Sequence, residues 1–118
     1  MPSHHIERVN TLIQREASKL IQNVLRDPRL GEFISVTEVS VSPDMRFAKV
    51  FVSSLGGEEK KQQILAALDS ASGFMRSELA KVVRLRHMPE LMFEWDNSIE
   101  KGDRILRLID EVSKQDTP

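Results

Sequence analysis

The stretch LDSASGFMRSELAKVV, residues 68–83, carries apolar side chains at helical spacing, yet Gly73 stands in its middle with Ser72 beside it. Ile64, Leu68, Ala71, Met75, Leu79 and Val82 follow one another three or four residues apart, the period of a helix with one apolar face. A glycine in a helix interior costs about 1 kcal/mol relative to alanine, and glycine next to serine is a recognised cause of a kink. The spacing therefore predicts two helical arms meeting at Ala71, Ser72 and Gly73 rather than one straight rod.

Upstream, LGGEE at 55–59 ends a strand and opens the first arm, with Glu58 and Glu59 suited to its positive end. EFISVTEVSVS at 32–42 is rich in β-branched residues and partly alternating, which reads as a strand. SPDM at 42–45 is a turn signal with Pro43 preset for the second turn position. RFAKVFVSS then forms a second strand, Ala48, Val50 and Val52 facing one way and Phe47, Lys49 and Phe51 the other. The two strands should pair as an antiparallel hairpin. The chain opens with a helix whose apolar face is Val9, Ile13, Leu20 and Val24, joined by Leu12, Ile21 and Leu25; Pro28 of RDPRLG stops it.

Downstream, RHMPE ends the second arm at Pro89, and LMFEWD reads as a third strand with Leu91, Phe93 and Trp95 on one side. Asn97 or Ser98 should cap a last helix through Ile105, Leu106, Ile109 and Val112, and residues 113–118 should form a mobile tail. The expected order is α-β-β-α-kink-α-β plus a C-terminal helix in one domain, 1–118. A helical crossover makes the second and third strands parallel. The fold class is α+β, a three-stranded mixed sheet covered by helices on one face.

The chain has 118 residues, 40% of them hydrophobic, enough for one modest core. It has no cysteine, which excludes disulfides and thiolate chemistry. No apolar run approaches the roughly 18 residues of a membrane span, and MPSHHIERVN has no apolar signal-peptide core. A cytoplasmic protein is the expectation. His4, His5 and His87 show no metal-ligand spacing. Glu94 and Asp96 share a strand face, which reads as its wet side, or for Asp96 as a helix cap. No glycine-rich phosphate loop is present. Neither a catalytic centre nor a cofactor is expected.

Charge is unevenly spread. The net charge is −1, but residues 73–89 hold Arg76, Lys81, Arg84 and Arg86 against Glu78 alone, a local +3. Residues 90–118 hold eight acids against four bases, −4. A nearly neutral protein can still present one basic face, and the start of the second arm offers N–H groups and a positive dipole end to phosphate.

Several segments, in order, resemble the ribosome-binding factor A family: RV at 8–9, DPRLG at 27–31, ISVTEVSVSPDMRFAKVFVS at 34–53 and ASGFMRSELAKVVRLRHMPELMFEWDNS at 71–98. The likeness spans about residues 6–110. It implies a type II K-homology fold in which the nucleic-acid-clamping Gly-x-x-Gly loop is replaced by an interrupted Ala-x-Gly joint, here Ala71-Ser72-Gly73. It further implies a monomer that carries out no chemistry, binds free 30S ribosomal subunits, assists processing of the 5′ region of 16S rRNA and serves growth in the cold. Assembly GTPases are candidate further partners. The RNA contacts expected are Ser72 and Gly73 at the joint, Arg76, Lys81, Arg84, Arg86 and His87 on and beyond the second arm, and Arg15 and Lys19 if the first helix lies adjacent. The acidic C-terminal segment should face away from RNA. The rival reading is a protein-interaction module using the open sheet face, with Phe47 or Phe51 as its adhesive patch; otherwise those rings pack under the C-terminal helix.

Overall fold

The computed structural model describes residues 3–25, 34–54 and 58–97. The expected C-terminal helix and tail, the RDPRLG stop and the LGG break lie outside the described residues.

Helix α1 (Ser3–Asn23) leads into β1 (Ile34–Val41) and β2 (Phe47–Ser54). One 3-10 turn (Glu58–Lys60) precedes α2 (Lys61–Ser70); α3 (Ser72–Val83) and β3 (Glu90–Trp95) follow. The sheet order is β1-β2-β3, antiparallel between β1 and β2 and parallel between β2 and β3. The order, the mixed sheet and the interrupted helix pair are those read from the sequence.

The partial alternation of β1 has a structural cause. Val36 pairs with Val52 and Glu38 with Phe51, so Thr37 is an extra residue in a bulge. Inward positions therefore shift parity, from Ile34 and Val36 to Val39 and Val41, as one added residue requires. The amide of Gln14 on α1 donates to the carbonyls of Val36 and Thr37 at 3.3 and 3.2 Å, satisfying backbone groups that the bulge unpairs. The Thr37 hydroxyl donates to the Asp96 carboxylate, tying the bulge to the end of β3.

The core lies between the sheet and the helices. Central strand β2 buries Ala48, Val50 and Val52 completely. Helix α1 covers β1 and touches α3, while α2 covers β3. α1 contributes Val9, Ile13, Ala17 and Ile21; α2 contributes Ile64, Ala67 and Leu68; α3 contributes Met75, Leu79 and Val83. Two positions correct the sequence reading. Val24 and Val82, expected in the apolar faces, are 46% and 48% exposed. The core instead takes Ala17 on α1, beside the expected Ile21, and Val83 on α3. Both helices bury rows of every fourth residue, and such ridges run oblique to the helix axis. A row of this kind winds away from Val24 and Val82.

Candidate nucleic-acid interface

α2 stops at Ser70, and Ala71, at φ −91° and ψ −1°, joins it to α3. The joint is well bonded. Ala71 N–H donates to the carbonyls of Ala67 and Leu68, both at 3.1 Å, and the Asp69 carbonyl also accepts a backbone N–H at the joint. The hydroxyls of Ser70 and Ser72 donate to the Ala66 and Asp69 carbonyls at 2.9 and 2.8 Å. Met75 N–H donates to the Ala71 carbonyl at 2.9 Å and restarts the helix. The Ala71 N–H at the joint is thus already taken by the last turn of α2.

Gly73 is exposed, and a Cβ built on it meets nothing within 4 Å. Among the described residues nothing therefore requires glycine at this position. Along α3, Gly73, Arg76, Ser77, Ala80 and Arg84 fall within about 100° of one another at the helical 100° per residue, and all five are exposed. The outward face is thus a strip of small side chains with an arginine in its first turn and another at its end. Buried Met75, Leu79 and Val83 hold the opposite face to the core.

The cations chosen from sequence divide into two groups. Lys81 Nζ lies 2.7 Å from Glu78, and Arg15 and Lys19 both reach Glu16, at 3.7 and 3.4 Å. Glu78 therefore balances Lys81, while the single carboxylate of Glu16 is shared by Arg15 and Lys19. Arg76, Arg84 and Arg86 form no ion pair among the described residues. Arg76 is engaged nonetheless, its Nε and Nη2 donating to the Met88 carbonyl at 3.0 and 2.7 Å. That contact fastens the α3–β3 loop to α3 and leaves the charge uncompensated. Arg84 adopts the left-handed conformation, φ 55° and ψ 47°, at the end of α3. A non-glycine residue there costs roughly 1–2 kcal/mol.

The β1–β2 turn comes alongside this loop. Met45 N–H donates to the Ser42 carbonyl at 2.9 Å, with Pro43 at the second position as read from sequence. Met45 takes φ 63° and packs against the core. The Arg46 carbonyl accepts Glu90 N–H at 2.9 Å, which brings Arg46 to the start of β3, and its guanidinium stands 5.9 Å from the Phe47 ring centroid. His5, Asp44, Met45, Arg46, Arg76, Leu85, Arg86 and His87 line one cleft of about 570 Å³. Sequence reasoning passed over Arg46 and, as a contact, His5. Only the parallel register Phe47↔Glu90 brings the residue after the turn to the loop after α3.

The Ser42 hydroxyl donates to Asp44 Oδ1 at 2.6 Å and Arg46 N–H donates to the same oxygen at 3.1 Å. These bonds, the serine's first, hold the Asp44 carboxyl below its ordinary 3.8. A lowered folded pKa stabilises the turn above the unfolded value, and that contribution is lost as pH falls through the folded one. The Arg46 amide resonance should accordingly titrate with a midpoint below the roughly 3.9 of an unstructured aspartate. A midpoint at or above that value would contradict the turn as described.

A family model described as ribosome-binding factor A matches residues 5–109. The chain belongs to the ribosome-binding factor A family. Ribosome-binding factor A of Acetivibrio thermocellus is 54% identical over 110 residues, covering 93% of this chain and 89% of that one. Its counterpart in Dictyoglomus thermophilum is 47% identical, covering 93% and 92%. The crystal structure of ribosome-binding factor A from Thermus thermophilus is 31% identical at a TM-score of 0.66, covering 75% of this chain and 93% of that one. A homology model of the Thermus factor has been fitted into a cryo-EM map of its complex with the 30S subunit; this chain is 30% identical to it at a TM-score of 0.59, covering 75% and 91%. Membership in the ribosome-binding factor A family gives the outward face of α3 a context. The Ala71 break and the bare Gly73 stand where the sequence likeness put an Ala-x-Gly joint, and the strip beyond them carries uncompensated arginines.

Proposed function

We propose that this protein is an assembly factor of the small ribosomal subunit. It docks on free 30S subunits through the outward face of α3 and assists maturation of the 5′ region of 16S rRNA. It works as a cytoplasmic monomer without chemistry of its own, by holding an immature RNA conformation until maturation finishes. The observation that carries the reading is the exposed strip Gly73–Ser77–Ala80 with Arg76 and Arg84 along it. Small side chains let a ribose–phosphate backbone come close, and the arginines neutralise phosphates. The Thermus relative's complex with the 30S subunit supports the same partner here. Among the described residues no helix is long and apolar enough to cross a membrane. Gly73 belongs to this face; Ser72 lies about 100° round the helix from it, its hydroxyl bonded to the Asp69 carbonyl, and is at most a contact at the head of the strip. Lys81, Arg15 and Lys19 are secondary contacts at most, because a phosphate must compete with Glu78 or Glu16 for them. Three to six phosphate contacts give a log–log salt slope of roughly −2 to −5.

Gly73→Ala tests the reading. The substituted methyl enters open space, so the helix should gain about 0.5–1 kcal/mol. Cosedimentation with 30S subunits on sucrose gradients should nevertheless fall, because the same methyl stands where the RNA backbone approaches. A variant that is more stable and sediments as before rules out docking at Gly73.

A second reading has one observation in its favour. On the open sheet face, Phe47 and Met92 are 39% and 43% exposed and share a concavity with Ser40, Pro43 and Lys49. A protein partner held there would bind with little salt dependence, the opposite of the RNA expectation.

A further inference from the structure

The cleft beside the α3 strip shares Arg76 with the docking face but adds elements that the face does not contain. Three elements converge on it: the first turns of α1 through His5, the β1–β2 turn through Asp44 to Arg46, and α3 with its following loop through Arg76, Arg86 and His87. Three arginines and one carboxylate line it, a charge of +2 with both histidines neutral. The carboxylate is already committed, since Asp44 Oδ1 accepts from Ser42 and from Arg46 N–H. Arg46 and Arg86 make no ion pair among the described residues, and Arg76 is held in place by the Met88 carbonyl. All three cations are arginines, whose planar forks match phosphate oxygens in a way that lysine does not. Their backbones are fixed from different directions, Arg46 by Glu90 N–H and Arg76 by its helix. A group entering the cleft meets charge from separate walls, unlike a group resting on one helix face. The volume, about 570 Å³, exceeds a phosphate and leaves room for an attached sugar.

We propose that this cleft is a phosphate seat, taking one phosphate of an RNA strand between the guanidinium groups of Arg46, Arg76 and Arg86. The choice of RNA as the source rests on the function proposed above; the seat itself rests on the cleft alone. Arg46 and Arg86 hold the phosphate, and Arg76 both binds it and keeps the loop at the right height.

The test is an amide-resolved NMR titration of the full chain with inorganic phosphate, ionic strength held constant with chloride. Saturable shifts are expected at Met45, Arg46, Leu85, Arg86 and His87, with at least a roughly tenfold weaker response in Arg46→Gln/Arg86→Gln. A thermal melt of that variant should match the parent, since both side chains are exposed. Shifts that fail to saturate, that chloride reproduces, or that a glutamate-rich peptide of equal charge reproduces overturn the seat. Titration with a short single-stranded RNA, with and without a 5′-phosphate, separates the sources. Shifts from both RNAs assign an internal phosphodiester, and shifts from the phosphorylated one alone assign a strand end. Shifts from inorganic phosphate but from neither RNA overturn RNA as the source. Phosphate binding by a protein that does not sediment with 30S subunits overturns the proposed function and leaves the seat standing. Normal sedimentation without phosphate binding does the reverse.

Discussion

Arg84→Glu/Arg86→Glu should lower affinity for the 30S subunit by about 100-fold or more at moderate salt, some 2.7 kcal/mol. Neither residue forms an ion pair among the described residues, so each positive charge is available to RNA. Removing both abolishes two phosphate contacts, and reversing them adds repulsion from a polyanion. The slope of log affinity against log salt should flatten by about 2 at the same time. Lys81→Gln is the control on α3: Lys81 is already balanced by Glu78 at 2.7 Å, and the change should cost only about threefold. Arg84→Gly adds a separate reading. The left-handed backbone at φ 55° suits glycine, so stability should rise by about 1 kcal/mol while binding falls. Stability and affinity moving in opposite directions mark a strained residue kept for its side chain. If Lys81→Gln harms binding more than the double reversal does, RNA lies on the other flank of α3.

Much of this architecture is legible in the sequence, for reasons that can be named. Strand β2 alternates strictly, and a two-residue period under a one-sided helical layer admits one assignment. The break at Ala71 is legible because glycine beside serine has few other uses inside a helical apolar repeat. The bulge at Thr37 is less so: an inserted residue looks like imperfect alternation until its partners Val52 and Phe51 are known. Ala17 escaped because a methyl group carries little periodic signal, although close packing favours a small residue there. The site is harder to read than the fold. Segment charge counts lysines and arginines alike, whereas the decisive difference is which of them has a carboxylate beside it or one turn away. Glu16 and Glu78 make that difference for Arg15, Lys19 and Lys81. Arg46 lies thirty residues before Arg76 and joins it only through the parallel register of β2 and β3. No local pattern encodes that meeting.

The largest stability effect should come from Leu68→Ala. Leu68 is completely buried in the last turn of α2, and its carbonyl accepts Ala71 N–H at 3.1 Å, so the side chain packs where the helix breaks. Truncating a fully buried leucine costs about 3–5 kcal/mol, part transfer and part cavity. Against a total of roughly 6–15 kcal/mol for a domain of this size, that is a large share. The denaturant midpoint should drop sharply with little change in slope. Val82→Ala, at the penultimate position of α3 on its exposed side, should stay within about 0.5 kcal/mol of the parent. The pair decides between two phases of the same helical repeat. A straight continuation of the apolar spacing puts Val82 inward with Leu68, whereas the fourth-residue row Met75–Leu79–Val83 turns it outward. Equal losses from the two substitutions would mean that α3 is rotated from the orientation described, and the arginine-bearing strip would no longer face solvent. The docking face thus depends on the packing of the opposite side of its own helix, and a denaturant curve on Val82→Ala probes that dependence without any RNA present.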